Sequence, residues 1–499
     1  MQRRLISITC LLFFLFPALV FGDTDTLLIL HTNDIHDHLR PGYEGVGGMP
    51  YVSGYISQVK AQRDDTLVLD GGDVTEKGDM VAFMTKSELT FEAMGRIGYD
   101  ACAVGNHDFD QGVDHLRKCR ALAQGMSLLC INWIRDDGTP EFPPSRVFDV
   151  DGVNVGVIGV TVPQDVKCLN LEETARALVQ EAEALEEDCQ LLVALCHLGT
   201  KDCRILSLAA KNIDLFVGGH SHQSTAKPVA VEETGALIVQ AGQHTEKVGR
   251  LELCLDLDTE AIVGVTYELV EMRHDGVPCD REMLEWIEKR EKEICPQASR
   301  VVGFCEDSVG GADAGRLAAA ALRERGDAEV GFCHPGNVIR SGLPKGDIDV
   351  NALFRTGGQR GHSIVTAGIP GKVLVAYLNG LETTDWGQTV WAGFGAEKGK
   401  SDSGDTVYET NLDGERVYQV VMPRLEWDQR FMKYFKKEGE NLEPRVLEAL
   451  PNLKASPSSF SFTDAVTAYV EEITQHGTSI DARVRELKEA VKLEEMAVK

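Results

Sequence analysis

Positive charge is scarce in this 499-residue chain: Lys and Arg number 50 against 78 Asp and Glu, giving a formal net charge of −28. A chain that holds a nucleic acid backbone needs a basic face, so nucleic acid is not expected as a partner. An anionic substrate must therefore be held by local positive charge, from metals or a few arginines. Beyond residue 22 there is no run of 18 uninterrupted apolar residues, and the charged stretch from Leu487 to Lys499 is not a lipid-anchor tail. No stable membrane insertion is expected after the first 22 residues are removed. Cys-x-x-Cys pairs are missing among the thirteen cysteines, which removes the usual zinc-ribbon signature. Internal repeats and low-complexity tracts are missing too, the nearest thing being a Gly- and charge-rich loop from Gly393 to Gly404.

At the N-terminus, Arg3 and Arg4 precede an apolar run from Leu5 to Phe21, and Gly22 is a small residue before Asp23. This is the layout of a secretory signal over residues 1–22, with an uncleaved anchor as the competing reading. Its removal takes Arg3 and Arg4 away and brings the net charge to −30. A periplasmic or secreted location follows. Export makes disulfides possible, and some are expected among the twelve cysteines that remain. Cys102, Cys196 and Cys254 lie in strand-like apolar runs, where a thiol behaves as a small hydrophobe. The remaining 477 residues exceed what one core usually supports. Two domains are expected, over residues 23–279 and 301–499, joined by a charged helical segment over 280–300.

Five short motifs carry the chemistry, each at the end of an apolar run that reads as a buried strand. They are Asp34-Ile35-His36 after Leu27–Leu30, Gly72-Asp73 after Leu67–Leu69, Asn106-His107-Asp108 after Ala101–Val104, His197 after Leu191–Leu195, and His220-Ser221-His222 after Leu215–Val217. In open α/β sheets, ligands bind beyond the carboxyl ends of the strands, so these loops are placed to converge. Taken singly, His197 could be a core histidine and Asn106 a turn residue. Together they offer seven ligands, enough for two cations if one carboxylate is shared. Such a pair clamps the attacking and leaving oxygens of an in-line displacement and acidifies a water. The expected reaction is hydrolysis at phosphorus. Imidazoles mixed with oxygen ligands suit Zn, Mn, Fe or Co. Of the other histidines, His38, His115, His244, His274, His334 and His362 take surface or structural roles by default.

The order and spelling of these motifs resemble the calcineurin-like metallophosphoesterases, specifically the secreted 5'-nucleotidase family. The phrases are His31-Thr32-Asn33-Asp34-Ile35-His36, Gly71-Gly72-Asp73, Gly105-Asn106-His107-Asp108-Phe109-Asp110, Cys196-His197-Leu198-Gly199 and Gly219-His220-Ser221-His222. The resemblance covers residues 25 to about 270 and implies that Asp34, His36 and His222 hold one metal. Asn106, His197 and His220 would hold the other, with Asp73 bridging. It also implies that His107 with the adjacent Asp108 is the catalytic pair, the carboxylate restoring imidazolium character beside the cations. The implied fold is α/β: a four-layer αββα metallophosphoesterase sandwich followed by an α/β 5'-nucleotidase-type substrate domain.

The second half resembles the family less closely. Asn337-Val338-Ile339-Arg340 lies where the family carries a substrate-facing arginine, and a guanidinium fork suits phosphate. Asn337 and Phe354 are further candidates for substrate contact. The family's paired aromatic clamp is not spelled out here. Phe354 and Trp427 could each stack on a base or simply pack in the core. Arg355 and Arg360 could bind a second anionic group or lie solvated. The expected substrate is a small phosphorylated molecule, a nucleoside 5'-monophosphate first. A nucleotide sugar, cyclic nucleotide, broad phosphate ester or sulfur ester comes second, and a non-catalytic metal-binding protein last. The sequence specifies no oligomeric state.

Overall fold

The computed structural model describes residues 24–163, 167–259, 261–381, 388–400 and 406–492. The signal read at residues 1–22 and part of the loop before Gly404 lie outside the described residues.

The first half contributes β1 (Thr24–Thr32), β2 (Leu67–Asp70), β3 (Ala101–Ala103), β4 (Ser127–Leu129), β5 (Ser145–Val150) and β6 (Val153–Val160). It continues with β7 (Leu191–Cys196), β8 (Leu215–Val217), β9 (Val229–Ala230), β10 (Leu237–Val239), β11 (Lys247–Asp256) and β12 (Ala261–Glu271). They form two six-stranded sheets, ordered β12-β11-β1-β2-β3-β4 and β5-β6-β7-β8-β10-β9. Strands β1 to β4 run parallel, as do β6, β7, β8 and β10. The carboxyl ends within each set therefore face one way.

Period-2 alternation explains why both faces of these strands are apolar. Leu27 and Ile29 point inward with Leu67, Leu69 and Ala101 to meet Val155, Val193 and Val217 of the other sheet. Their neighbours Leu28, Leu30 and Val68 point outward, against Val52 and Ile56 of the helix Met49–Lys60. On the far side, Leu192, Ala194 and Phe216 pack on Leu178 and Leu206, from the helices Leu171–Leu185 and Thr200–Ala209. The result is helix, sheet, sheet, helix. Each fully buried Leu, Ile or Val contributes roughly 1.5–3 kcal/mol.

The helix Arg281–Ile294 follows, capped by the Asp280 side chain, which accepts from the Met283 N–H. The second half holds β13 (Val301–Cys305), β14 (Val330–Cys333), β15 (Gly346–Asp349), β16 (Ser363–Pro370), β17 (Val390–Ala392), β18 (Ala396–Lys400), β19 (Thr406–Thr410), β20 (Val417–Pro423) and β21 (Ser456–Ser461). A five-stranded mixed sheet, β17-β14-β20-β16-β21, carries the helices Gly311–Arg325 and Phe462–Gln475 among its packing partners. Part of the stretch read as a Gly- and charge-rich loop is in fact strand β18, paired with β19.

The halves meet along a polar seam. Arg40 Nη2 donates to Asp349 Oδ2 at 2.9 Å, and the Tyr43 hydroxyl donates to Asp349 Oδ1 at 2.6 Å. Asn351 Nδ2 donates to Asp79 Oδ1 at 2.7 Å, while Met80 N donates back to Asn351 Oδ1 at 2.8 Å. Apolar residues from both halves, Leu39 and Met80 with Ile348 and Val350, close one continuous cluster beneath it.

Disulfides were expected, and among the described residues there are none: the cysteines from Cys102 to Cys333 are thiols. The reason is placement. Most lie singly on core faces, as Cys102 does on β3 and Cys196 on β7, filling the space of a small hydrophobe.

Candidate metal centre

The five motif loops leave the carboxyl ends of β1, β2, β3, β7 and β8, and their side chains converge. The backbone there is unusual. Asp34, His36, Asp73, His220 and His222 all have positive φ, between 49° and 66°. Asp, Asn and His tolerate the left-handed region better than most residues, but each such position still costs on the order of 1–3 kcal/mol. Close approach needs glycine as well: a Cβ on Gly105 would lie 2.2 Å from Asp73 Oδ1. Only glycine leaves room for that carboxylate.

Two clusters result, Asp34 with His36 and His222, and Asp73 with His197 and His220, the ligand atoms within each lying inside 4.8 Å of one another. In the first, His36 Nε2 is 3.1 Å from His222 Nε2 and 3.7 Å from Asp34 Oδ1. In the second, His197 Nε2 is 3.1 Å from Asp73 Oδ2, and His220 Nδ1 is 3.1 Å from Asn106 Oδ1. Asp73 Oδ2 also lies 3.8 Å from His36 Nε2, so this carboxylate stands between the clusters. All seven residues are thus brought together.

The donor set suits divalent metal ions, and several details fit. His36 Nδ1 faces the Thr75 carbonyl and His197 Nδ1 the Gly71 carbonyl, both at 2.9 Å. Donation there turns each Nε2 toward the centre, the usual outer-shell arrangement of a metal-binding imidazole. Asp34 Oδ2 accepts from Asn33 Nδ2 at 2.7 Å and from His220 N at 2.9 Å. Among the described residues its other oxygen, Oδ1, is buried and makes no hydrogen bond, and His197 Nε2 has only its ion-pair approach to Asp73. Burial by itself disfavours charge on His197, but Asp73 and Asp34 outweigh it and lift the imidazole to about 10. The space between His197 and Asp73 favours positive charge.

His107 is where the expected catalytic pair needs correcting. Its Nδ1 meets Asp110 Oδ2 at 3.1 Å and lies 3.2 Å from Glu76 Oε2. Asp108 instead turns inward, where it accepts from Gly105 N at 2.8 Å and Thr75 N at 3.1 Å. Burial, with the charge of Asp73 adding, pushes its carboxyl up to about 7. The physical reason is local: His107–Phe109 is a 3₁₀ turn, in which residues three apart share a face and adjacent residues do not. The signal was available in the spacing of His107 and Asp110.

Among the expected substrate residues, Arg340 lines a cavity of about 630 Å³ that also borders His222, Lys77 and Arg355. Its Nη1 donates to the Gly336 carbonyl at 2.8 Å. Asn337 lines a different cavity with His334, Tyr377 and Arg430. Phe354 is buried, its ring 5.3 Å from that of Phe83, and Trp427 is buried 5.1 Å from the Phe431 ring. Asn337 and Phe354 are therefore not brought to the metal cleft, and the two aromatics pack.

Four groups at the cleft were missed. His244 and His38 stack at 3.9 Å, with the His244 ring 5.9 Å from that of His36, so neither is a remote surface histidine. Lys77 Nζ is 3.2 Å from His36 Nε2, and Glu76 abuts His107. Gln243-His244 follows the short strand β10, and Glu76-Lys77 follows the Gly72-Asp73 motif. Neither pair stands in a ligand motif of its own, and only the chain path delivers them.

This arrangement is that of a calcineurin-like phosphoesterase domain, and residues 27–224 match the family pattern described as Calcineurin-like phosphoesterase. The 5'-nucleotidase branch is where its similarities gather. A Vibrio cholerae 5'-nucleotidase is 25% identical over 431 residues, covering 72% of this chain and 76% of that protein. The endonuclease YhcR of Bacillus subtilis is 27% identical over 378 residues, which is 66% of this chain; the match spans only 30% of YhcR. Among solved structures, a 5'-nucleotidase precursor from Thermus thermophilus superposes with a TM-score of 0.69 at 23% identity, covering 90% of this chain and 97% of that one. The αββα half and the following α/β half are thus a known two-part fold. No helix among the described residues is long and apolar enough to cross a membrane.

Proposed function

We propose that this chain is an exported dinuclear phosphoesterase that hydrolyses nucleoside 5'-monophosphates to nucleoside and phosphate. The observation that carries the reading is the convergence of two ligand clusters on Asp73, beside a cavity lined by Arg340. Asp34, His36 and His222 would hold one divalent ion and Asn106, His197 and His220 the other, with Asp73 between them. Bound there, two ions of Zn, Mn, Fe or Co supply Lewis acidity and an activated water for displacement at phosphorus. His107 holds a proton for a phosphoryl oxygen or the departing ribose oxygen, and Asp110 fixes its ring through Nδ1. Arg340 binds a phosphoryl oxygen or the sugar edge. Residues 1–22 are the leader, 23–279 the metal domain, 280–300 the connector and 301–499 the substrate domain.

A second reading has one specific observation behind it. Lys77, Arg340 and Arg355 gather around the cavity in an otherwise acidic chain; Arg340 Nε is buried with no hydrogen bond among the described residues, and Arg355 Nη1, buried too, has Asp79 Oδ1 at 3.8 Å. With the aromatics packed away, a substrate bearing a second anionic group, such as a nucleotide sugar or diphosphate, fits these cations. Phosphate release across nucleoside monophosphates, a nucleotide sugar, a cyclic nucleotide and an aryl phosphate separates the readings. Preference for monophosphates, with KM rising about tenfold or more in Arg340→Ala, supports the first. Equal rates on all of them, unchanged in Arg340→Ala, refute it.

A further inference from the structure

The turn after the Gly72-Asp73 motif is built oddly for a surface connection. Glu76 and Lys77 are consecutive non-glycine residues with φ of 74° and 76°. A conformation of that cost persists only where the surroundings fix it, and here the fixing groups come from both halves of the molecule. From the metal half, Asp37 Oδ2 accepts from Glu76 N at 2.8 Å. From the C-terminal half, Gln359 Oε1 accepts from Lys77 N at 2.6 Å, and Arg360 Nε lies 2.9 Å from Glu76 Oε1.

The other carboxylate oxygen, Glu76 Oε2, points at the chemistry. It is 3.2 Å from His107 Nδ1 and 3.6 Å from Lys77 Nζ, buried, and makes no hydrogen bond among the described residues. His107 thus has two carboxylates at Nδ1: Asp110, three residues along its own turn, and Glu76, which is itself paired to the other half of the protein. Pairing with Arg360 tempers the charge that Glu76 brings beside His107 and fixes where its second oxygen points.

Resting on the dinuclear phosphoesterase reading, we propose that Glu76 is a positioning residue for His107 and that Arg360 acts through it, so that the catalytic ring is set only when the C-terminal half is docked. Gln359 and Arg360 grip the outside of the turn, and Glu76 transmits that grip to the ring. Undocking frees the turn and leaves Asp110 as the sole restraint at Nδ1.

The test uses the full chain loaded with two equivalents of Mn and an aryl phosphate as probe, which makes no use of a nucleoside pocket. Arg360→Ala and Glu76→Ala are each expected to lower kcat about tenfold with KM within about twofold, as loss of ring orientation would. The double variant falls no lower than either single, because both remove one coupling, and Arg360→Lys recovers most of the rate. Amide exchange across residues 105–110 should quicken in Arg360→Ala. A rise in KM at constant kcat makes Arg360 a substrate ligand and overturns the proposal. Multiplying losses in the double variant overturn it as well. So does a third equivalent of Mn, bound when the chain is loaded with excess metal, that disappears in Glu76→Ala, which makes Glu76 a ligand. If the wild type cleaves no phosphate ester, the phosphoesterase reading fails, and the exchange measurement still decides the coupling: unchanged exchange in Arg360→Ala sinks it.

Discussion

In the first half, side-chain position is fixed by the backbone: five of the seven proposed ligands sit at left-handed φ, on loops two to five residues beyond buried strands. The C-terminal half instead offers Arg340, Arg355 and Arg360, long flexible side chains on a loop and at the end of the helix Val350–Gly357. A carboxylate or imidazole at a metal has little tolerance for displacement, so its position is encoded rigidly. A guanidinium on a four-bond stem can follow its ligand. Changes at the metal centre should therefore abolish turnover and changes at Arg340 or Arg355 should redistribute affinity, with Arg360 the exception because it acts through Glu76 on His107 and so on kcat.

The sharpest way to break that contrast is Asp73→Asn. Because Asp73 stands between both clusters, both metals should be lost and turnover should fall by about 1,000-fold or more. Elemental analysis showing two full equivalents would refute the bridging role. Next in size is His107→Ala, expected to cost about 100-fold in kcat at unchanged metal content. Metal loss in that variant would make His107 a ligand. Asp110→Asn should lower kcat too, whereas Asp108→Asn, whose carboxyl clamps Gly105 and Thr75, should show itself first in thermal stability. The opposite pattern would restore Asp108 as the partner of His107.

The smallest expected effect lies in the C-terminal half and is one of stability. Glu426 is fully buried, accepting from the Tyr377 hydroxyl at 3.0 Å and the Thr389 hydroxyl at 2.8 Å, and burial pushes its carboxyl up to about 7. The folded state therefore keeps a proton that the unfolded chain releases near its ordinary value. This group's contribution is fully present below that unfolded value, falls as pH rises toward 7, and is flat above it. Urea unfolding followed by Trp fluorescence should lose on the order of 2 kcal/mol between pH 5 and pH 8, and Glu426→Gln should flatten the slope. An unchanged slope would place the titrating group elsewhere.

The strand ends were legible in the sequence because a parallel strand buried on both faces reads as a continuous apolar run. Leu191–Leu195 and Leu215–Val217 are strands within a residue of where that pattern put them. Such runs locate the loops beyond them, which is why Asp34, His36, Asp73, Asn106, His197, His220 and His222 could be grouped before any coordinates. Phe354 and Asn337 did not follow, because the face a helix or loop turns toward a cleft depends on what packs behind it.

What the sequence determined by itself is thus the chemistry: residue types, their order, and their attachment to strand ends, all of which are local. The partner of His107 is local too: Asp110 rather than Asp108 holds it because a 3₁₀ turn rotates neighbours apart. Tertiary structure alone decided the distant partners. His244 reaches the cleft from more than 200 residues beyond His36, and Arg360 meets Glu76 from the other half of the chain. Contacts of that separation leave no periodic trace along the chain, since they are made only when segments distant in sequence pack against each other.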